Sequence, residues 1–357
     1  MCCDFTMFKL NLSKFQEKVP IKVFENVLKE NLAVSSEQVL FIGDKGYGTT
    51  NLLAPILTNA FSVAANNMGI TNSTVYQTTK ARGESADIVM LREMKNLPPQ
   101  SVIVVNVSNR LGDMKYLGKS FRTFCRARGH RFISAASLGM LQNNYLPNIV
   151  DSLNVNAKQL HHKGMQLKRK LDDASAITVL TKKGTDLTIG LENMRSRVAS
   201  GLYTVPGTGG NSIPAETYVA PAKNSVNGTI VIDGSIRTTN KTILCKNQVE
   251  MTVKNSEIVS MNSSPEAKLL QQSLVWARKN SKNSNKNNVK KIAELGIGLN
   301  DKAKIIGSTI VDEKTKGTAH IAIGSNGWFG GDIKTIIHLD QVFKDPMFKI
   351  DGKLMRM

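Results

Sequence analysis

Between Gln38 and Ile42 the chain reads Gln-Val-Leu-Phe-Ile, a short apolar run closed by a glycine-rich turn. Ser101-Val102-Ile103-Val104-Val105-Asn106-Val107 is a second, clearer run of the same kind. Continuous apolar stretches of this length, rich in β-branched residues, are what a strand buried on both faces requires. Ser73–Gln77 and Arg131–Ser134 read as further strands. Between them, Asn51–Asn67 carries its apolar residues at helical spacing, and Gly118–Ala127 suits a helix. Strands alternating with helices predict a mostly parallel sheet.

Past about residue 174 the texture changes. Ala176–Leu180, Asp186–Ile189, Thr229–Asp233, Thr242–Lys246 and Val249–Lys254 read as closely spaced strands. Pro206-Gly207, Asn227-Gly228 and Asp233-Gly234 supply turn signals in this region. The expected fold is therefore α/β: an N-terminal parallel-sheet α/β domain over residues 1–173, then a β-rich α+β domain over residues 174–357. No internal repeat is visible.

Alternation within the later strands picks out candidate chemistry. In Ala293–Asn300, Glu294 shares a face with Gly296, Gly298 and Asn300, while Ala293, Leu295, Ile297 and Leu299 take the other. In Thr318–Gly324, His320 shares its face with Ala322 and Gly324, and Ile321 and Ile323 point to the core side. His338 and Asp340 are two apart and point the same way if they lie in a strand. Glu216 stands in an extended segment bracketed by Pro214 and Pro221. A lone histidine in a strand is more often a satisfied core residue, and a lone glutamate more often lies on the surface. The inference rests on several such side chains, on faces otherwise kept small, falling in one domain. Two imidazoles and three carboxylates suit Zn, Co, Mn or Fe(II) better than Ca or Mg. Five ligands exceed one catalytic zinc's usual three and suit two divalent ions roughly 3.5–4 Å apart, hydrolysing an amide. On that reading Glu294 bridges the ions, His338 and Asp340 hold one of them, and His320 and Glu216 help complete the pair. Asp312 and Glu313 are read as orienting groups, a general base or, for Asp312, a turn cap.

Other features narrow the picture. The Gly43-Asp44-Lys45-Gly46-Tyr47-Gly48 loop follows a strand, but its glycine spacing is not that of a dinucleotide fingerprint, and a tight strand-to-helix turn accounts for it. The cysteines at 2, 3, 125 and 245 have no Cys-x-x-Cys spacing, so a zinc ribbon is excluded and a reducing, cytoplasmic setting is expected. No signal-peptide layout and no uninterrupted apolar span of membrane length is present, and Met7 is a candidate alternative start. The net charge of +19 is spread along the chain without interleaved aromatics, so neither nucleic acid nor membrane is expected as a partner. His130, His161 and His162 are read as structural or exposed. The Tyr203–Asn211 segment is read either as lining a substrate cleft or as a flexible connector.

Taken together, the segments Pro214–Pro221, Gly228–Gly234, Glu294–Asn300, Asp312–Gly324 and His338–Asp340 resemble the aminopeptidase T family of metallopeptidases, in order and in spacing. The resemblance covers roughly residues 174–352. It implies a metal-dependent aminopeptidase acting on peptide substrates, often as a homodimer, with a co-catalytic pair of divalent ions held by Glu216, Glu294, His320, His338 and Asp340. One departure stands out: the position of a family tyrosine, seven residues after His320, is Gly327 here, followed by Trp328 and Phe329, which are expected to fill its space. A second branch resembling this domain contains dihydroxypyridine ring-cleaving dioxygenases, which use one Fe(II) in a triad of two histidines and one carboxylate. His320, His338 and Asp340 could supply that triad. That branch carries a histidine at the place of Glu294, so Glu294 together with Glu216 favours the hydrolase.

Overall fold

The computed structural model describes residues 19–355, so Cys2, Cys3 and Met7 lie outside the described residues. The chain divides into two compact units, one reaching Lys158 and taking in Gly201–Pro214, the other formed by Gln159–Ser200 and the chain from Ala215 onward.

The first unit is built on a parallel sheet. Strands β1 (Val39–Asp44), β2 (Asn72–Gln77), β3 (Val102–Asn106) and β4 (Arg131–Ala135) lie in the order β2-β1-β3-β4. The apolar runs of β1 and β3 are buried along their whole length, as a central parallel strand demands. The helix Leu53–Asn67 follows β1. The glycine loop between them is a turn: Asp44 accepts hydrogen bonds from the Gly46 amide at 3.1 Å and from the Ser108 amide at 2.6 Å, and Gly46 takes φ +73°. The Tyr203–Asn211 segment is not a plain connector at its end. Gly209–Asn211 forms an edge strand parallel to β4. A side chain at Gly209 would meet the Phe132 ring at 2.3 Å, so only glycine lets this strand come alongside.

The second unit contains two seven-stranded antiparallel sheets, in agreement with the β-rich expectation. With Gly209–Asn211 counted as β8, its strands are β5 (Ala176–Leu180), β6 (Asp186–Gly190), β7 (Arg197–Ala199), β9 (Glu216–Val219), β10 (Val226–Ile232), β11 (Ser235–Arg237), β12 (Thr242–Leu244), β13 (Val249–Lys254), β14 (Glu257–Met261), β15 (Ile292–Gly298), β16 (Thr318–Gly324), β17 (His338–Lys344), β18 (Met347–Ile350) and β19 (Lys353–Leu354). One sheet runs β14-β13-β10-β6-β5-β18-β19, the other β12-β11-β17-β16-β15-β9-β7. A single apolar core joins them: Ile230, Met251 and Val253 from the first meet Leu295, Ile297, Ile321, Ile323, Leu339 and Phe343 from the second. Each such fully buried side chain contributes roughly 1.5–3 kcal/mol over leaving it exposed. This alternation locks the register of β15, β16 and β17, because a one-residue slip would turn every core residue outward. The helix Pro265–Asn280, which the apolar pattern does not announce, is capped by the Ser264 hydroxyl accepting from the Ala267 amide at 3.2 Å. Among the described residues, no helix is long and apolar enough to cross a membrane.

Candidate metal centre

The face of β9-β15-β16-β17 turned away from that core carries the chemistry. In the antiparallel register Glu216 lies opposite Gly298, Gly296 opposite His320, Ala322 opposite both Glu294 and Asp340, and Gly324 opposite His338. Directly paired residues point the same way, so all five candidate ligands project from one side. The glycines and Ala322 separate them. A methyl group at Gly296 would stand 2.1 Å from Cε1 of His320, so the imidazole lies flat across the backbone of β15. A Cβ at Gly298 would collide with the backbone of Lys314 and Thr315, so that glycine admits the loop before β16.

Two neighbouring groups result. Ligand atoms of Glu294, His338 and Asp340 all lie within 4.8 Å of one another, as do those of Glu216, Glu313 and His320. His320 Nε2 links the groups, at 3.5 Å from Glu294 Oε1 and 3.8 Å from Glu216 Oε2. His338 Nδ1 is 2.8 Å from the Ser325 carbonyl, which can only accept, so this nitrogen carries the proton. Its Nε2 then points at Asp340 Oδ1, at 3.1 Å, and Glu294 Oε2, at 3.3 Å. Nε2 facing two carboxylate oxygens needs a proton or a metal cation between them, and an imidazole fixed through its other nitrogen is the usual form of a histidine ligand. Glu216 Oε2 is buried with no hydrogen-bond partner. The donor set therefore fits divalent metal ions.

The electrostatics agree. Burial alone would lower the basicity of His320, but its hydrogen bond to Glu294 and the charges of Glu216 and Asp340 carry it to about 9. Burial likewise opposes protonation of His338, yet Asp340 and Glu294 hold its proton well above the ordinary range. Burial would raise Asp340 and Glu294, and the two imidazoles outweigh it and hold both low. Glu313 is pushed up to about 8, chiefly by burial and, against the pull of Lys314, by the nearby charges of Glu216 and Asp340.

The pH dependence of stability follows. The folded-state value of His320 lies above the unfolded value of about 6.5. Its contribution is therefore complete below about pH 6.5 and disappears as the pH rises through 9. Chelator-treated protein is expected to lose several degrees of Tm between pH 7 and 9, and protein reloaded with a divalent ion much less, because the ion then takes the proton's place. Equal losses in both forms, by scanning calorimetry, would count against an ion at these imidazoles.

Other candidates are placed apart from the ligand set. Asp312 caps a turn, accepting from the Ile306 amide at 2.7 Å, the Gly307 amide at 3.1 Å and the Ser235 hydroxyl at 2.7 Å. His130 is buried against Phe124, and desolvation drives it down to about 4. His161 meets the Ser200 hydroxyl and His162 meets Gln166. Phe329 is buried against Tyr218. Trp328 is 62% exposed, with its ring 4.7 Å from that of His338. The residue that sequence reasoning missed is Lys314, fully buried, its ammonium bonded to Glu216 Oε1 and Glu313 Oε1.

Comparison with known proteins corrects one expectation. The family model of NicX, 2,5-dihydroxypyridine 5,6-dioxygenase, matches residues 123–356, a span that includes every candidate ligand. A structure of 2,5-dihydroxypyridine dioxygenase from Pseudomonas putida KT2440 aligns with a TM-score of 0.70 at 18% identity, covering 94% of this chain and 94% of that one. Wild-type AmpT from Thermus thermophilus aligns with a TM-score of 0.63 at 13% identity, covering 98% of this chain and 97% of that one. No curated protein matches. At these identities the two likenesses establish a shared fold, whereas the family match distinguishes between them. The expected metallo-aminopeptidase activity, a hydrolase reaction on peptides, is overturned: the match points to an oxidoreductase. The ligands misled because carboxylates and imidazoles gathered on one strand face can hold a divalent ion for either chemistry. Gly327 agrees with the correction, since it offers no side chain where a tyrosine was expected.

Proposed function

The chain belongs to the family of NicX, 2,5-dihydroxypyridine 5,6-dioxygenase, and on that premise we propose that it is a metal-dependent dioxygenase that opens a hydroxylated pyridine ring. The observation that carries this reading is the family match running across the whole ligand face.

Glu294, His338 and Asp340 are the residues that would hold the ion. Ferrous iron, when bound there, supplies the redox chemistry by which both atoms of dioxygen enter an aromatic ring. The remaining work belongs to side chains. The Ser325 carbonyl fixes the His338 ring and its tautomer. His320 holds Glu294 from the side through Oε1. Glu313, with its carboxyl pushed up to about 8, keeps a proton near neutral pH and is the group at this face suited to give or take one as the hydroxyl groups of a substrate change ionisation. Trp328 presents an exposed ring edge-on to His338, with Phe329 5.2 Å behind it, and offers a planar substrate a surface to pack against.

Oxygen uptake tests the reading. Protein reconstituted with Fe(II) without air, then given 2,5-dihydroxypyridine and oxygen, is expected to consume about one dioxygen per ring lost from the ultraviolet spectrum, and chelated protein none. Uptake no faster than with Fe(II) alone would reject it. For Trp328, an aromatic contact worth about 0.5–1.5 kcal/mol predicts that Trp328→Ala raises KM about 2- to 12-fold and leaves kcat within about twofold. A fall in kcat with unchanged KM would remove Trp328 from the substrate's path.

A further inference from the structure

We propose that Lys314 is a resident cation that fills the Glu216–Glu313–His320 half of the centre, so that the protein takes one divalent ion, in the Glu294–His338–Asp340 half, and would take two if the ammonium were removed. The inference rests on the metal-dependent reading above and concerns how many ions the face accepts, and why.

Three observations carry it. First, the ammonium is committed. Lys314 Nζ bonds Glu216 Oε1 and lies 2.6 Å from Glu313 Oε1, and the side chain is wholly buried. These are two of the three residues whose atoms define that group. With one oxygen of each glutamate engaged, a metal ion would have to share both carboxylates with a positive charge already in contact with them. Among the described residues, the cationic contacts of the other group are the imidazoles themselves.

Second, the lysine is held by its backbone. The Asn300 amide donates to the Lys314 carbonyl at 2.8 Å, and the Lys314 amide donates to the Val311 carbonyl at 3.0 Å. Gly298, directly opposite Glu216 in the sheet, leaves room for the Lys314–Thr315 backbone to press against β15, where any Cβ would collide with it. The side chain therefore enters the face from a rigid segment and does not swing in from solvent.

Third, a buried ammonium without a carboxylate partner would be very costly, and the reverse holds for an ionised buried glutamate without a cation. The arrangement is self-consistent only if Lys314 and these acids satisfy one another. Glu216 is then a partner of the lysine and not a metal ligand, although it stands on the ligand face.

Manganese serves as the probe. Full-length protein freed of metal and titrated with Mn(II) is expected to bind one ion per chain by calorimetry and to give the electron-spin spectrum of an isolated ion. Lys314→Met is expected to bind two per chain and to show the spin coupling of neighbouring ions. Glu216→Gln is expected to keep one ion with Kd changed less than about threefold, and it decides the matter should Lys314→Met fail to fold. Two ions in the wild type, one ion in folded Lys314→Met, or loss of the ion in Glu216→Gln would each overturn the inference. Two ions in the wild type would leave the dioxygenase reading to its own assay, whereas a wild type that binds no ion would sink both.

Discussion

Asp340→Ala is expected to cost the protein its iron and to lower ring opening by about 10³-fold or more. Asp340 Oδ1 lies 3.1 Å from His338 Nε2, and both project from β17 beside Glu294. Removing it leaves two donors where three converge. A catalytic metal lowers the barrier by several kcal/mol, and about 1.4 kcal/mol corresponds to a factor of ten in rate. Asp340→Asn keeps the volume but not the charge, so it separates packing from binding. Both variants are expected to fold, since neither replacement is appreciably larger than the aspartate, and both are expected to lack stoichiometric iron by elemental analysis. A variant that keeps its iron and more than about a tenth of the wild-type rate would show that Asp340 is not a ligand.

The second large effect is expected at a residue with no chemistry of its own. Gly296→Ala places a methyl group 2.1 Å from Cε1 and 2.3 Å from Nε2 of His320. His320 is 1% exposed. The ring must tilt away from Glu294, and misplacement of a catalytic group by about 1 Å can cost on the order of 10²-fold in rate. Overpacking a well-ordered interior costs a further ~1–3 kcal/mol of stability. Gly296→Ala is therefore expected to lose about 10²-fold in activity, several degrees of Tm, and much of the basicity of His320, which nuclear magnetic resonance titration reads directly. Gly327→Ala is the control. A Cβ there meets nothing within 4 Å, and activity is expected to stay within about twofold. Near-wild-type behaviour of Gly296→Ala would mean that the imidazole does not lie across β15 as described.

The contrast between these glycines shows what was legible in the amino-acid sequence. Alternation along Glu294–Gly298 and Thr318–Gly324 separates an apolar face from a face of small residues bearing acid and imidazole. Because a strand's period is two, that alternation determines direction without any knowledge of the fold. The parallel sheet was legible for a similar reason, since β1 and β3 are continuous apolar runs. Lys314 was not legible. Its partner Glu216 lies 98 residues away, and a lysine between a glutamate and a threonine looks like a solvated turn. Gly209–Asn211 was equally hidden, because a strand of three small residues has no apolar pattern to display. The helix Pro265–Asn280 presents an interrupted stripe, Ala267, Leu270, Leu274 and Ala277, which is weak beside its polar residues. The reaction itself was the least legible part. Carboxylates and imidazoles on one face suit a metal ion for either chemistry, so the choice between hydrolysis and oxygen chemistry turned on the family match.

Isotopic labelling tests the central claim most directly. The iron-loaded protein is supplied with 2,5-dihydroxypyridine under ¹⁸O₂, and the ring-opened product is weighed by mass spectrometry. Both labelled atoms are expected in the product, and Asp340→Ala is expected to yield none. A ring-opened product that draws its oxygen from water, or an intact ring after prolonged incubation with fully loaded protein, would contradict the claim.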